Sequence, residues 1–166
     1  MLKARKKTRV LYFEIDGVLL DYEEHPKPAL LDGRLEAMLK SAKFDVLACV
    51  SGRSDMVAFS PLHPRSLALQ QELIWQQVAA LFPDKAYFLS KILLIKDTDN
   101  RCHYLDLKAD WYYMDSWADK FFVEQHGEEQ YQKELNHRIL LPDLEDDGTM
   151  VLRFLEQKAA HSFFKK

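Results

Sequence analysis

Cysteine is scarce in this 166-residue chain: Cys49 and Cys102 are the only two. Two cysteines in unrelated contexts make neither a zinc-type cluster nor a disulfide framework, and nothing requires an oxidising compartment. Cys49 sits in an apolar run and reads as a core residue. There is no excess of basic residues. Lys and Arg number 23 against 26 Asp and Glu, a formal net charge of -3, which argues against the cation excess that drives non-specific nucleic-acid binding. No apolar run approaches the length needed to cross a membrane, and the run after the basic N-terminus is broken by Glu14 and Asp16, so it does not read as a signal peptide. The expectation is a soluble, cytoplasmic protein with no membrane partner. The six histidines show no H-x-H or H-E-x-x-H spacing. Neither a Gly-rich phosphate loop nor a Ser-His-Asp context is present. Internal repeats and low-complexity segments are also missing.

What the chain does contain is the balance of a globular domain, 48% hydrophobic and 30% charged, at a length that fills one core and not two. We expect a basic N-terminal flank over 1–9, a single domain over 10–158 and a C-terminal tail over 159–166. The flank carries Lys3, Arg5, Lys6, Lys7 and Arg9, and its plain reading is a solvated segment.

Val10-Leu11-Tyr12-Phe13 leads directly into Glu14-Ile15-Asp16-Gly17. A continuous apolar run of this kind reads as a strand buried on both faces, inside a parallel sheet. The carboxylates at its end are costly to bury and belong where a ligand or metal meets them. Leu31, Leu35, Met38, Leu39 and Ala42 follow helical spacing, and residues 44–50 read as a second buried strand ending at Ser51-Gly52-Arg53-Ser54. Strand, helix and strand in this order make a βαβ unit. Residues 55–65 read as irregular and 66–82 as a helix stopped by Pro83. Ala86–Leu89 reads as a short strand, and 92–95 with 102–107 as a hairpin closed over Asp97–Asn100. Asp110–Asp115 reads as an aromatic strand ending in a carboxylate, followed by a helix with Phe121 and Phe122. A further partly helical stretch lies over 125–137. A short strand at 138–142 and a final helix after Asp146-Asp147-Gly148-Thr149 complete the pattern.

Alternating strands and helices predict an α/β fold: a three-layer sandwich around a mainly parallel, Rossmann-like sheet without a large cap domain. In such sheets ligands bind outside the carboxyl ends of the strands, where strand order reverses. Glu14 and Asp16, Ser51, and Asp115 with Asp119 follow three different strands and would converge there. Converging carboxylates suit Mg²⁺, which takes oxygen ligands at roughly 2.0–2.1 Å and keeps several waters. A phosphate would complete the shell, held by Ser51 and neighbouring backbone N–H groups such as that of Gly52.

The ordered set Glu14-Ile15-Asp16-Gly17, Ser51, and Asp115 with Asp119 resembles the haloacid dehalogenase-like superfamily, over Val10 to about Leu155. The resemblance implies an Mg²⁺-dependent phosphohydrolase acting on a phosphorylated substrate, with bulky or macromolecular phosphates typical of capless members. It implies that Asp16 is the general acid/base and a metal ligand through its backbone carbonyl. It further implies that Ser51 binds phosphate and that Asp115 and Asp119 ligate the metal. The family also carries a phosphate-steadying lysine, for which Lys91 and Lys96 are the two candidates; Lys108 lies at the wrong end of its strand. The chain departs from the family at the nucleophile position, which holds Glu14 instead of Asp. The extra methylene displaces the carboxylate by an amount that costs roughly a hundredfold in rate when attack geometry is lost. Ser116 stands where many relatives carry a second Asp. Two expectations therefore stand together: weak phosphohydrolysis, or a non-catalytic relative in which Trp111, Tyr112, Tyr113 and Trp117 serve contacts to a partner.

Overall fold

Strand β1 (Arg9–Phe13) runs between two parallel neighbours, β2 (Val46–Cys49) and β4 (Asp110–Met114), with Phe13 level with Cys49 on one side and Met114 on the other. The computed structural model describes residues 5–51, 53, 67–95 and 101–164. Strand β3 (Ile92–Leu94) adds beyond β2 and strand β5 (Ile139–Leu140) beyond β4, giving the all-parallel order β3-β2-β1-β4-β5. The chain winds outward from β1 in one direction and then returns to wind in the other, so strand order reverses between β1 and β4.

Successive strand residues point to opposite faces, and both faces are covered. Leu11, Phe13, Leu47, Cys49, Tyr112 and Met114 pack on one side. There they meet α1 (Arg34–Ala42), α2 (Leu67–Val78), α3 (Lys85–Lys91) and α6 (Thr149–Phe164). Val10, Tyr12, Ala48, Trp111, Tyr113 and Ile139 pack on the other, against α4 (Ala118–His126) and α5 (Glu128–Glu134). This is the three-layer α/β arrangement expected from the sequence. No helix among the described residues is long and apolar enough to cross a membrane.

Three local expectations are corrected. Ala86–Leu89 is part of helix α3, because the Asp84 carboxylate accepts a hydrogen bond from the Tyr87 N–H and caps a helix there. The run 92–95 does not pair with 102–107 in a hairpin: Ile92–Leu94 pairs in parallel with β2, and Arg101–Tyr104 is a turn of 3₁₀ helix. A short apolar run carries no information on whether its partner is parallel or antiparallel, and here β2 offers the open edge. The flank and tail also contract. Arg9 belongs to β1 and is buried, its guanidinium donating to the Lys158 carbonyl at 3.0 Å and lying against the Phe44 and Tyr112 rings. Helix α6 continues to Phe164.

The turn after β1 is held from below by an unusual clasp. Lys27, 2% exposed, donates from its ammonium to the Gly17 carbonyl at 2.7 Å and lies 3.7 Å from the Asp146 carboxylate. Burial pulls the Lys27 pKa down and Asp146 opposes that shift. The loop bearing Asp146 packs just as closely. Gly148 has φ +104°, and a Cβ there would lie 2.7 Å from Leu30 Cγ and 3.3 Å from Lys27 Cβ.

Replacing Gly148 with Ala therefore combines backbone strain with overpacking, each costing about 1–3 kcal/mol. The urea midpoint of Gly148→Ala should fall with an unchanged m-value; an unmoved midpoint would show that the turn relaxes freely.

Candidate functional site at the carboxyl ends of the strands

Glu14 leaves β1 still tied to the sheet, its N–H donating to the Met114 carbonyl at 3.0 Å. The residue is 3% exposed. Oε1 accepts from the Ile15 N–H at 2.8 Å and lies 3.4 Å from the Asp16 N–H, while Oε2 lies 2.9 Å from Arg101 Nη1. The same Nη1 is 3.0 Å from Asp115 Oδ2. Asp115, fully buried after β4, also accepts from the Tyr113 hydroxyl at 2.6 Å and, through Oδ1, from the Trp117 N–H at 2.8 Å. Tyr113 is held protonated as a donor: burial, and then the Asp115 charge, push its pKa well above the usual phenol value.

Burial also dominates Glu14. It raises the carboxyl pKa from 4.5 to about 7, against the opposing pull of Arg101, the Ser51 hydroxyl and the Ile15 N–H, with Asp115 adding to the rise. Ser51 thus reaches Glu14, as expected of the group following β2, and its oxygen accepts from the Arg53 N–H at 3.2 Å.

Asp16 turns outward and is gripped by a second arginine. Arg53 donates through Nε to Oδ2 at 2.9 Å and through Nη2 to Oδ1 at 2.6 Å, a forked pair. The same guanidinium reaches Glu24 at 3.0 Å and Gln77 at 2.8 Å, joining the loop after β1 to α2. Gly17 follows with φ +82°, and a Cβ there would meet the Ser116 hydroxyl at 2.6 Å and the Tyr22 hydroxyl at 2.8 Å. Tyr22 and Trp117 stand half exposed at the mouth.

Glu14, Ser51 and Asp115 are therefore brought together, with Asp16 beside them. The others are not. Asp119 lies in the first turn of α4, exposed, its carboxylate accepting from the Lys120 N–H, and it faces the α4–α5 groove. Helix α4 begins at Ala118 and turns Asp119 away from the strand ends. Lys91 ends α3 immediately before β3, roughly 10 Å below the rim at about 3.3 Å per strand residue. That puts it at the amino end of a parallel strand, the wrong end for the role. Gly52 and Lys96 lie outside the described residues, as do 55–65. Trp111, Tyr112 and Tyr113 are core residues of β4, so of the proposed contact aromatics Trp117 alone is exposed.

The residues that sequence reading missed are the cations. Arg53 follows Ser51 by two positions, in a polar turn where the Ser51 hydroxyl is the more conspicuous group. Arg101 lies in a turn-rich stretch with no motif, and its partners are 87 and 14 residues away. Lys27 stands between two prolines and looks like a surface lysine.

As placed, these residues do not fit Mg²⁺. Among the described residues no group of three or more His, Cys, Asp or Glu is arranged to hold a metal. Asp16 has both carboxylate oxygens on Arg53, and Asp115 has both on protein donors. Glu14 has one oxygen on backbone and the other on Arg101. Compared with protein-family models, curated proteins and solved structures, the chain matches none.

Because its folded pKa is raised, Glu14 contributes stability that is fully present below pH 4.5 and is lost as pH rises through about 7. Denaturation at a series of pH values should show wild-type stability falling across that window by up to about 3 kcal/mol, at 1.36 kcal/mol per pKa unit. Glu14→Gln should flatten it; equal slopes in both proteins would refute the assignment.

Proposed function

We propose that this chain is a haloacid dehalogenase-like protein that binds rather than hydrolyses, a non-catalytic binding or regulatory module built on a phosphatase-type rim. The observation that carries this reading is the state of Glu14. The group at the nucleophile position is 3% exposed, hydrogen-bonded to Ile15 and ion-paired with Arg101, and its pKa is raised to about 7. A carboxylate so engaged must break an ion pair to reach a phosphorus atom, and near neutral pH a large fraction of it carries a proton on the would-be attacking group. Asp16 is equally occupied as an acid/base, because both oxygens accept from Arg53. Half-exposed Tyr22 and Trp117 beside Gly17 and Ser116 are the groups available for contact.

A second reading, Mg²⁺-dependent hydrolysis of a phosphorylated substrate, is favoured by one observation: Glu14, Ser51 and Asp115 meet at the point where strand order reverses, the usual ligand position in such a sheet. Under that reading both arginines swing away when substrate arrives.

An aryl phosphate assay with Mg²⁺ separates the two. Wild type, Asp16→Asn and Glu14→Asp should all show no turnover above buffer, because shortening Glu14 leaves both Asp16 oxygens on Arg53 and Asp115 paired with Arg101. Robust wild-type turnover that Asp16→Asn abolishes would establish the hydrolase instead.

A further inference from the structure

We infer that Arg101 is the built-in cation of this rim, standing in the place and charge role of a divalent metal and excluding one for as long as it is seated. This rests on the non-catalytic reading above and gives its physical cause. One guanidinium nitrogen lies 2.9 Å from Glu14 and 3.0 Å from Asp115, bridging carboxylates that follow two adjacent parallel strands. Bridging oxygens from two strand ends is what a metal does in such a crevice, and a bridging N–H donor does it with one charge instead of two. The arginine is anchored for the task. Its guanidinium lies 4.7 Å from the centre of the Phe121 ring, on helix α4, and its backbone forms the start of the 3₁₀ turn that packs Cys102 into the core. The two acids are prepared for a fixed cation rather than an exchanging one. Asp115 is fully buried and saturated by Tyr113 and Trp117, and Glu14 is almost as deep. Neither oxygen set is left facing water, whereas Mg²⁺ keeps several waters when bound. Ser116, adjacent to Asp115, turns its hydroxyl to the Gly17 and Pro142 carbonyls at 3.3 and 3.4 Å, so it supplies no further charge to attract a divalent ion.

The test is cation binding, read by calorimetry and by thermal shift with millimolar MnCl₂ and MgCl₂. Wild type should bind neither, with no change in Tm. Arg101→Met keeps an apolar stem against Phe121 and removes the charge. It should lose stability without metal, because two buried acids are left uncompensated. Mn²⁺ should then raise its Tm by about 2–4 °C or more, an effect absent in Arg101→Met/Asp115→Asn. Arg101→Gln serves the same purpose if the Met variant does not fold. Saturable Mn²⁺ binding to wild type that Asp115→Asn abolishes would overturn the inference, as would a folded Arg101→Met or Arg101→Gln that binds no cation. These outcomes are independent of the activity assay. A wild type that binds Mn²⁺ without turnover sinks this inference alone, and one that turns over without binding a divalent cation sinks the functional reading alone.

Discussion

Two carboxylates buried at the ends of adjacent parallel strands are the constraint around which this protein is arranged. Taking a carboxylate out of water costs several kcal/mol unless charge and hydrogen bonds replace the lost hydration. Glu14 and Asp115 share one replacement, Arg101, and each adds donors of its own: Ile15 and Ser51 for the first, Tyr113 and Trp117 for the second. Arg101 can sit there because its segment is pinned as a 3₁₀ turn against α4 rather than swinging as a hairpin. The raised pKa of Glu14 shows that compensation is incomplete, and that shortfall is where pH acts on the structure.

The surrounding ion pairs follow a similar logic with less burial. Arg53 ties Asp16 to Glu24 and to Gln77, so the loop after β1 and helix α2 close over the rim through one side chain. Lys27 closes the same loop from inside by meeting the Gly17 carbonyl and Asp146. Three cations thus fix the loop that follows β1 and the acids around it, leaving Tyr22 and Trp117 outermost.

Much of the scaffold was legible because burial on both faces leaves a simple trace. Val10–Phe13, Val46–Val50 and Trp111–Met114 are apolar at both parities, and the helical stripe at Leu35 and Leu39 is equally direct. The α3 segment and β3 were not legible in the same way. Ala86–Leu89 is too short for its period to show, and its helical state depends on the Asp84 cap. Ile92–Ile95 has strand character whatever its partner. At the site, Glu14, Asp16, Ser51 and Asp115 could be found because each follows a strand end. Asp119 and Lys91 failed for a geometric reason: a rotation of α4 and the direction of β3 point them elsewhere.

From its order of residues alone this chain determined a parallel sheet with acids and a serine at one rim, since side-chain alternation and strand-to-helix order are local properties. It also determined that a glutamate, one methylene longer than the Asp16 that follows it, stands at the end of β1. Only the tertiary structure decided what neutralises those acids. Arg53 and Arg101 are brought to Asp16, Glu14 and Asp115 across long stretches of chain. The energy of a buried charge depends on what folding places within about 3 Å of it, and no local pattern encodes that distance.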